Sequence, residues 1–266
     1  MELLRAEAFF DLSSFEHRDL FSDCRYVWNA LEKIPSYLER HLVSNVEGVT
    51  CFRKPLPHTI VLWRGKLFHE GFELLGGDVT KLTFQVKIDG EVTTDAVVLF
   101  SGSVLWDDRI CFGPGSVVEP GALIKGPTII GSHTEVRQGA YLRGKCIVGS
   151  RCVVGHTTEM KASVMLDGAK AGHFAYIGDS IMGGLSNLGA GTKLANLKIK
   201  EGTIRVRIGN ELMDTGLRKF GAILGDRVEI GCNAVTNPGT LLGQGCMVFP
   251  LTSVRAGYHE PHQVVR

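Results

Sequence analysis

The chain has almost no net charge: 29 basic against 28 acidic side chains leave a formal +1. A surface built for nucleic acid usually carries a basic excess, so that class of partner is not expected. Any apolar run long enough to span a membrane is also missing. The N-terminal stretch MELLRAEAFFDLSSFEH places acidic residues inside its short apolar segment, unlike a secretory signal. Paired metal spacing is absent too: the seven cysteines stand at 24, 51, 111, 146, 152, 232 and 246. No bound metal is therefore expected, and free thiols suit a reducing, cytoplasmic setting.

Neither the 3.6-residue period of a helix nor the two-residue period of a strand governs the middle of the sequence. Instead an aliphatic residue returns every sixth position at Ile130, Val136, Leu142, Val148, Val154, Met160 and Leu166. The same phase runs back through Ile124, Val118, Phe112, Trp106 and Phe100. Four residues after each comes a small or β-branched side chain, among them Ser116, Ala122, Thr134, Cys146 and Cys152. A period of six fits a chain coiled as a triangular prism, with one short strand per face and three hexads per coil. The 33 glycines suit its frequent tight corners. The expected fold is an all-β, parallel β-helix of hexapeptide repeats.

Residues 1–81 have a different texture and are expected to form a small α+β domain. Ser13 to His41 is helical in spacing and broken near Pro35; strand-like pieces follow at Thr59–Trp63 and Lys66–Phe68, with a turn at Gly76 and Gly77. The six-residue phase can be followed back to Leu82 and Ile88, so the coil is assigned to 82–256. It slips once, between Leu166 and Tyr176, where ten residues replace the twelve of two hexads. A second interruption, 195–223, alternates Ile204, Val206 and Ile208 with Arg205 and Arg207 before Gly209-Asn210, the pattern of an extruded hairpin. The polar tail 257–266 is expected to be extended or loosely docked.

A regular solenoid has no cleft of its own, so chemistry is expected where the repeat breaks or where coils of separate chains meet. His173 lies in the slip, with Gly168 and Gly172 beside it to let backbone approach a ligand, and a neutral imidazole there could serve as general base. Residues eighteen apart stack on successive coils, which aligns Lys125, Arg143 and Lys161. Stacked like charges are unfavourable unless an anion sits between them, so this ladder is either a solvated row or a phosphate clamp.

The runs EMKASVMLDGAKAGHFAYIGD (159–179) and SNLGAGTKLAN (186–196) carry a family resemblance. Over roughly 110–255 the chain resembles the acetyltransferase half of the bacterial bifunctional glucosamine-1-phosphate acetyltransferase/N-acetylglucosamine-1-phosphate uridylyltransferase family. The resemblance implies a left-handed coil, a homotrimer with sites at the seams between subunits, and acetyl-CoA as acyl donor. It implies an amino-sugar 1-phosphate as acceptor, in cell-envelope sugar-nucleotide biosynthesis. His173 matches the family's catalytic base, and Arg143, Lys161, Tyr176 and Asn187 match its sugar-phosphate contacts. Lys219 matches a further sugar-phosphate lysine. Asn196 falls near the thioester of CoA, with Ala190 and Cys232 on the cofactor side, and N–H groups of Gly189–Gly191 could meet the oxyanion. Leu197 replaces an aromatic and Cys232 a serine. The family's nucleotidyltransferase motifs have no counterpart in the residues before the coil, so uridylyl transfer is not expected.

Two other classes compete. One is a trimeric scaffold that binds sugar phosphates or nucleotide sugars without turnover. The other is a zinc hydrolyase using His133, His156 and His173, whose separations of 23 and 17 do not superpose on one edge.

Overall fold

The computed structural model describes residues 2–49 and 51–266. Short strands stack into three faces, of 11, 8 and 8 strands, parallel from Val97–Leu99 onward, and wind as a left-handed β-helix. Each strand pairs in register with the strands one coil before and after it, as Leu123 and Ile124 pair with Tyr141 and Leu142. The prism interior is filled by three columns of side chains, one from each face, among them Ile124, Val136, Leu142, Val154 and Met160, all fully buried. Beside them the small slots are buried too, with Ser116, Thr134, Cys146 and Cys152 at 0% exposure. Burial pushes the Cys146 and Cys152 thiols up to about 12.

The phase differs from the sequence reading at three places. Leu105 and Leu99 point inward rather than Trp106 and Phe100, because the step from Leu105 to Phe112 is seven residues, one longer than the repeat. Met165, not Leu166, continues the column, since Val148 pairs with Met165. The step Met160 to Met165 is therefore five residues, as is Ile177 to Met182. Both short steps turn one corner, through Ala162 and Asp179, which adopt left-handed φ of 44° and 45°. The stretch from Met165 through Ala171 to Ile177 is regular. His173 thus stands in an intact hexad, not in the slip.

The coil begins later than residue 82. Phe72–Gly76, Gln85–Ile88 and Glu91–Thr93 form a separate antiparallel sheet, and the first coil strand is Val97–Leu99. Residues 43–49 and 51–68 close that end of the prism: Ile60–Trp63 pairs antiparallel with Val97–Leu99, and Val46, Val49 and Leu56 join the core. The tail is not loose either, because Gly257–His259 and Val264–Val265 add strands to the coil.

The N-terminal segment folds onto the coil instead of apart from it. Three short 3₁₀ turns lead to a helix at Asn29–His41, with Pro35 inside it. Ala30, Ile34, Tyr37 and Leu38 share its buried face, and that packing holds the helix through the proline. On the third face of the prism the middle residue of each strand points outward, and the column is apolar: Ile129, Ile147, Val164, Ile181, Ile223 and Leu241. Phe9, Phe10, Trp28 and their neighbours cover it. Arg205–Ile208 and Glu211–Asp214 form the expected hairpin around Gly209-Asn210, but it lies down on the same face, burying Ile204 and Val206. Among the described residues no helix is long and apolar enough to cross a membrane.

Candidate functional site

One edge of the prism carries four of the residues singled out above. Register places Gln138, His156, His173, Ala190 and Cys232 on successive rungs at the corner after the first face. Gly191 N donates to His173 O at 3.0 Å, and Asn233 N to Ala190 O at 2.8 Å, which locks the rungs together. The His173 ring is exposed, lies 6.4 Å from Phe174, and makes no side-chain hydrogen bond among the described residues. Its nitrogens are open to a ligand. His156 is fixed below it: Nδ1 donates to Gln138 O at 2.9 Å and the ring meets Phe174 edge-on at 5.1 Å.

These two histidines are register partners, contrary to the spacing argument, because the short corner at Ala162 makes that coil seventeen residues. His133 sits at another corner, with its Nε2 3.7 Å from Asp95. Among the described residues no group of three or more His, Cys, Asp or Glu could hold a metal.

The adjoining second face holds the polar residues. Lys125, Arg143 and Lys161 do stack on successive rungs. They are not a bare ladder. Arg143 pairs with Glu159 at 2.7 Å, Lys161 with Asp179 at 2.6 Å, and Lys125 lies 4.5 Å over the Trp106 ring. The Glu159 hydrogen bond holds the Arg143 guanidinium above its ordinary value. Like-charge repulsion is therefore offset inside the protein, without an added anion. Asn196 Nδ2 donates to the same Asp179 oxygen as Lys161, and Tyr176 Oη donates to Asn196 Oδ1 at 3.3 Å. Gly178 makes room for this: a Cβ there would lie 2.6 Å from Tyr176 Oη and 2.8 Å from Asn196 Nδ2.

Lys161, Tyr176 and Asn196 thus come together, around an aspartate that spacing alone did not single out. Lys219 is exposed next to Phe220, whose N–H donates to Asn196 O at 3.0 Å. Asn187 lies around the corner on the first face, donating to Glu229 Oε2 at 3.1 Å. Within one chain it is separated from Tyr176 by the His173 edge. Of the N–H groups in Gly189–Gly191, those of Gly189 and Gly191 are spent on the coil, leaving Ala190 as the candidate donor.

A family model described as GMPPB C-terminal domain matches residues 124–265. The chain belongs to that family. Curated relatives agree with the resemblance drawn from the two motifs. A bifunctional sugar-1-phosphate nucleotidylyltransferase/acetyltransferase of Sulfurisphaera tokodaii is 36% identical over 109 residues, 40% of this chain and 27% of that protein. The bifunctional protein GlmU of Stutzerimonas stutzeri is 30% identical over 190 residues, 68% of this chain and 38% of that protein. This member of the GMPPB C-terminal domain family therefore spans well under half the length of these relatives. Among solved structures, a UDP-N-acetylglucosamine acyltransferase of Francisella novicida is a distant likeness. Its TM-score is 0.39 at 12% identity, covering 59% of this chain and 60% of that one.

Proposed function

We propose that the chain is a CoA-dependent N-acetyltransferase that acts on an amino-sugar 1-phosphate as a homotrimer. The observation that carries this is an unbonded, exposed imidazole, His173, at the edge that borders the face holding a preformed network of Lys161, Asp179, Asn196 and Tyr176. Relatives named as acetyltransferases support it. In this reading the amine nitrogen attacks the thioester carbon of acetyl-CoA, a C–N bond forms, and the C–S bond breaks. His173 takes the proton that the amine sheds, and the departing sulfur leaves as CoA thiol once protonated. Asn196 lies beside the thioester, the Ala190 N–H faces the developing oxyanion, and Cys232 lines the donor's path one rung further. Arg143, Lys161 and Lys219 meet the acceptor's phosphate, and Tyr176 and Asn187 orient its ring.

The test is release of CoA thiol across a panel of amino-sugar 1-phosphates and nucleotide-linked amino sugars. His173→Ala should lower kcat by about 10²–10⁴-fold with unchanged folding, the usual contribution of a placed general base. Near-normal turnover by that variant would assign the proton to another group. The alternative is a scaffold that binds the sugar phosphate without turnover. Wild-type protein that binds glucosamine 1-phosphate yet releases no thiol selects the scaffold.

A further inference from the structure

We propose that Asp179 is a positioning residue that couples the acceptor end of the site to the acyl-donor end; this rests on the function proposed above. One carboxylate oxygen, Asp179 Oδ2, accepts from both Lys161 Nζ, at 2.6 Å, and Asn196 Nδ2. The lysine belongs to the acceptor's phosphate in that reading, the asparagine to the thioester. Both charged partners are mostly withdrawn from water, with side-chain exposures of 18% and 15%, so the oxygen is poorly replaced by solvent.

Geometry keeps Asp179 in this place. It forms the short corner of its coil, with φ of 45°, and its own N–H donates to Lys161 O at 3.1 Å. Its carbonyl accepts from Gly221 N at 2.8 Å, across the insertion that Asn196 begins. Glu159 differs, since among the described residues its carboxylate bonds to Arg143 alone. Asp179 therefore joins two side chains that two different substrates would use. A phosphate arriving at Lys161 draws its ammonium from the shared oxygen, and the carboxylate then holds Asn196 alone. Binding of one substrate should strengthen binding of the other.

Calorimetry with glucosamine 1-phosphate and CoA as probes tests this. For the wild type, saturating CoA should tighten glucosamine 1-phosphate by roughly fivefold, the lower range of ordinary coupling between sites. In Asp179→Asn the factor should fall to one, because an uncharged amide oxygen holds the Lys161 ammonium and the Asn196 N–H far more weakly than the carboxylate does. If that variant does not fold, Asn196→Ala replaces it, with CoA raised until the variant is saturated: the factor should again fall to one. Independent binding of the two ligands by the wild type, or coupling that persists in a folded Asp179→Asn, overturns the inference and leaves the acetyltransferase reading standing. Wild-type protein that binds neither ligand overturns that reading and the coupling with it.

Discussion

Thr236 points into the prism between Leu194 and Val254, and its hydroxyl is the one buried side-chain polar atom among the described residues without a hydrogen-bond partner. An unpaired buried hydroxyl costs about 1–3 kcal/mol, whereas valine fills the same space without one. Thr236→Val should raise the urea midpoint by an amount matching about 1 kcal/mol or more; an unchanged or lower midpoint would mean the hydroxyl finds a partner. The same scale shows what the sequence could and could not reveal. Glu159 precedes Lys161 by two residues, so alternation alone puts both on one outer face. Asp179 is different. A lone Asp after Gly is an ordinary turn residue, comfortable at positive φ. Its bond to Asn196 crosses a coil of seventeen residues, shortened at the Asp179 corner in a way that the aliphatic period concealed.

Elements explain that concealment. A bare hexapeptide coil would alternate apolar and polar residues, and its inward column would be read without error. Here the third face is apolar on both sides, so Met165 and Leu166 are equally plausible interior residues, and both are buried. Leu166 is covered by the N-terminal segment, which sequence texture suggested was a domain of its own. Main-chain bonds pin that segment to the coil. Asp226 N donates to Phe9 O at 2.9 Å, and its carboxylate accepts from Asp11 N at 2.7 Å. On an uncovered face, Ile147→Asp would be a benign surface change. With Ile147 at 0% exposure beneath this layer, a carboxylate there is buried without a partner. The variant should lose several kcal/mol of stability, or release residues 2–42 to limited proteolysis while the coil stays folded. Wild-type stability together with wild-type protease resistance would show that the layer does not seal the face.

At the scale of the whole molecule, the covered third face leaves the first and second faces, and the edge between them, for a neighbouring chain. The first face is flat next to that edge, since Gly155, Gly172, Gly189 and Gly231 follow the inward residue on successive rungs. Phe174 projects from the edge at 54% exposure. Asn187 and Tyr176 lie on opposite sides of it, so one small acceptor touching both needs His173 and Tyr176 from one chain and Asn187 from another. A trimer with three equivalent seams meets that requirement, and it makes a test that a single-chain site cannot pass. His173→Ala and Asn187→Ala should each be nearly inactive alone. Unfolded together at equal amounts and refolded, they should regain about a quarter of wild-type turnover, because random assembly pairs an intact His173 with an intact Asn187 at that frequency. Light scattering should give three times the chain mass for the mixture and for each parent. Mixed trimers without regained turnover would place both residues' work within one chain, and a stable monomer would remove the seams altogether.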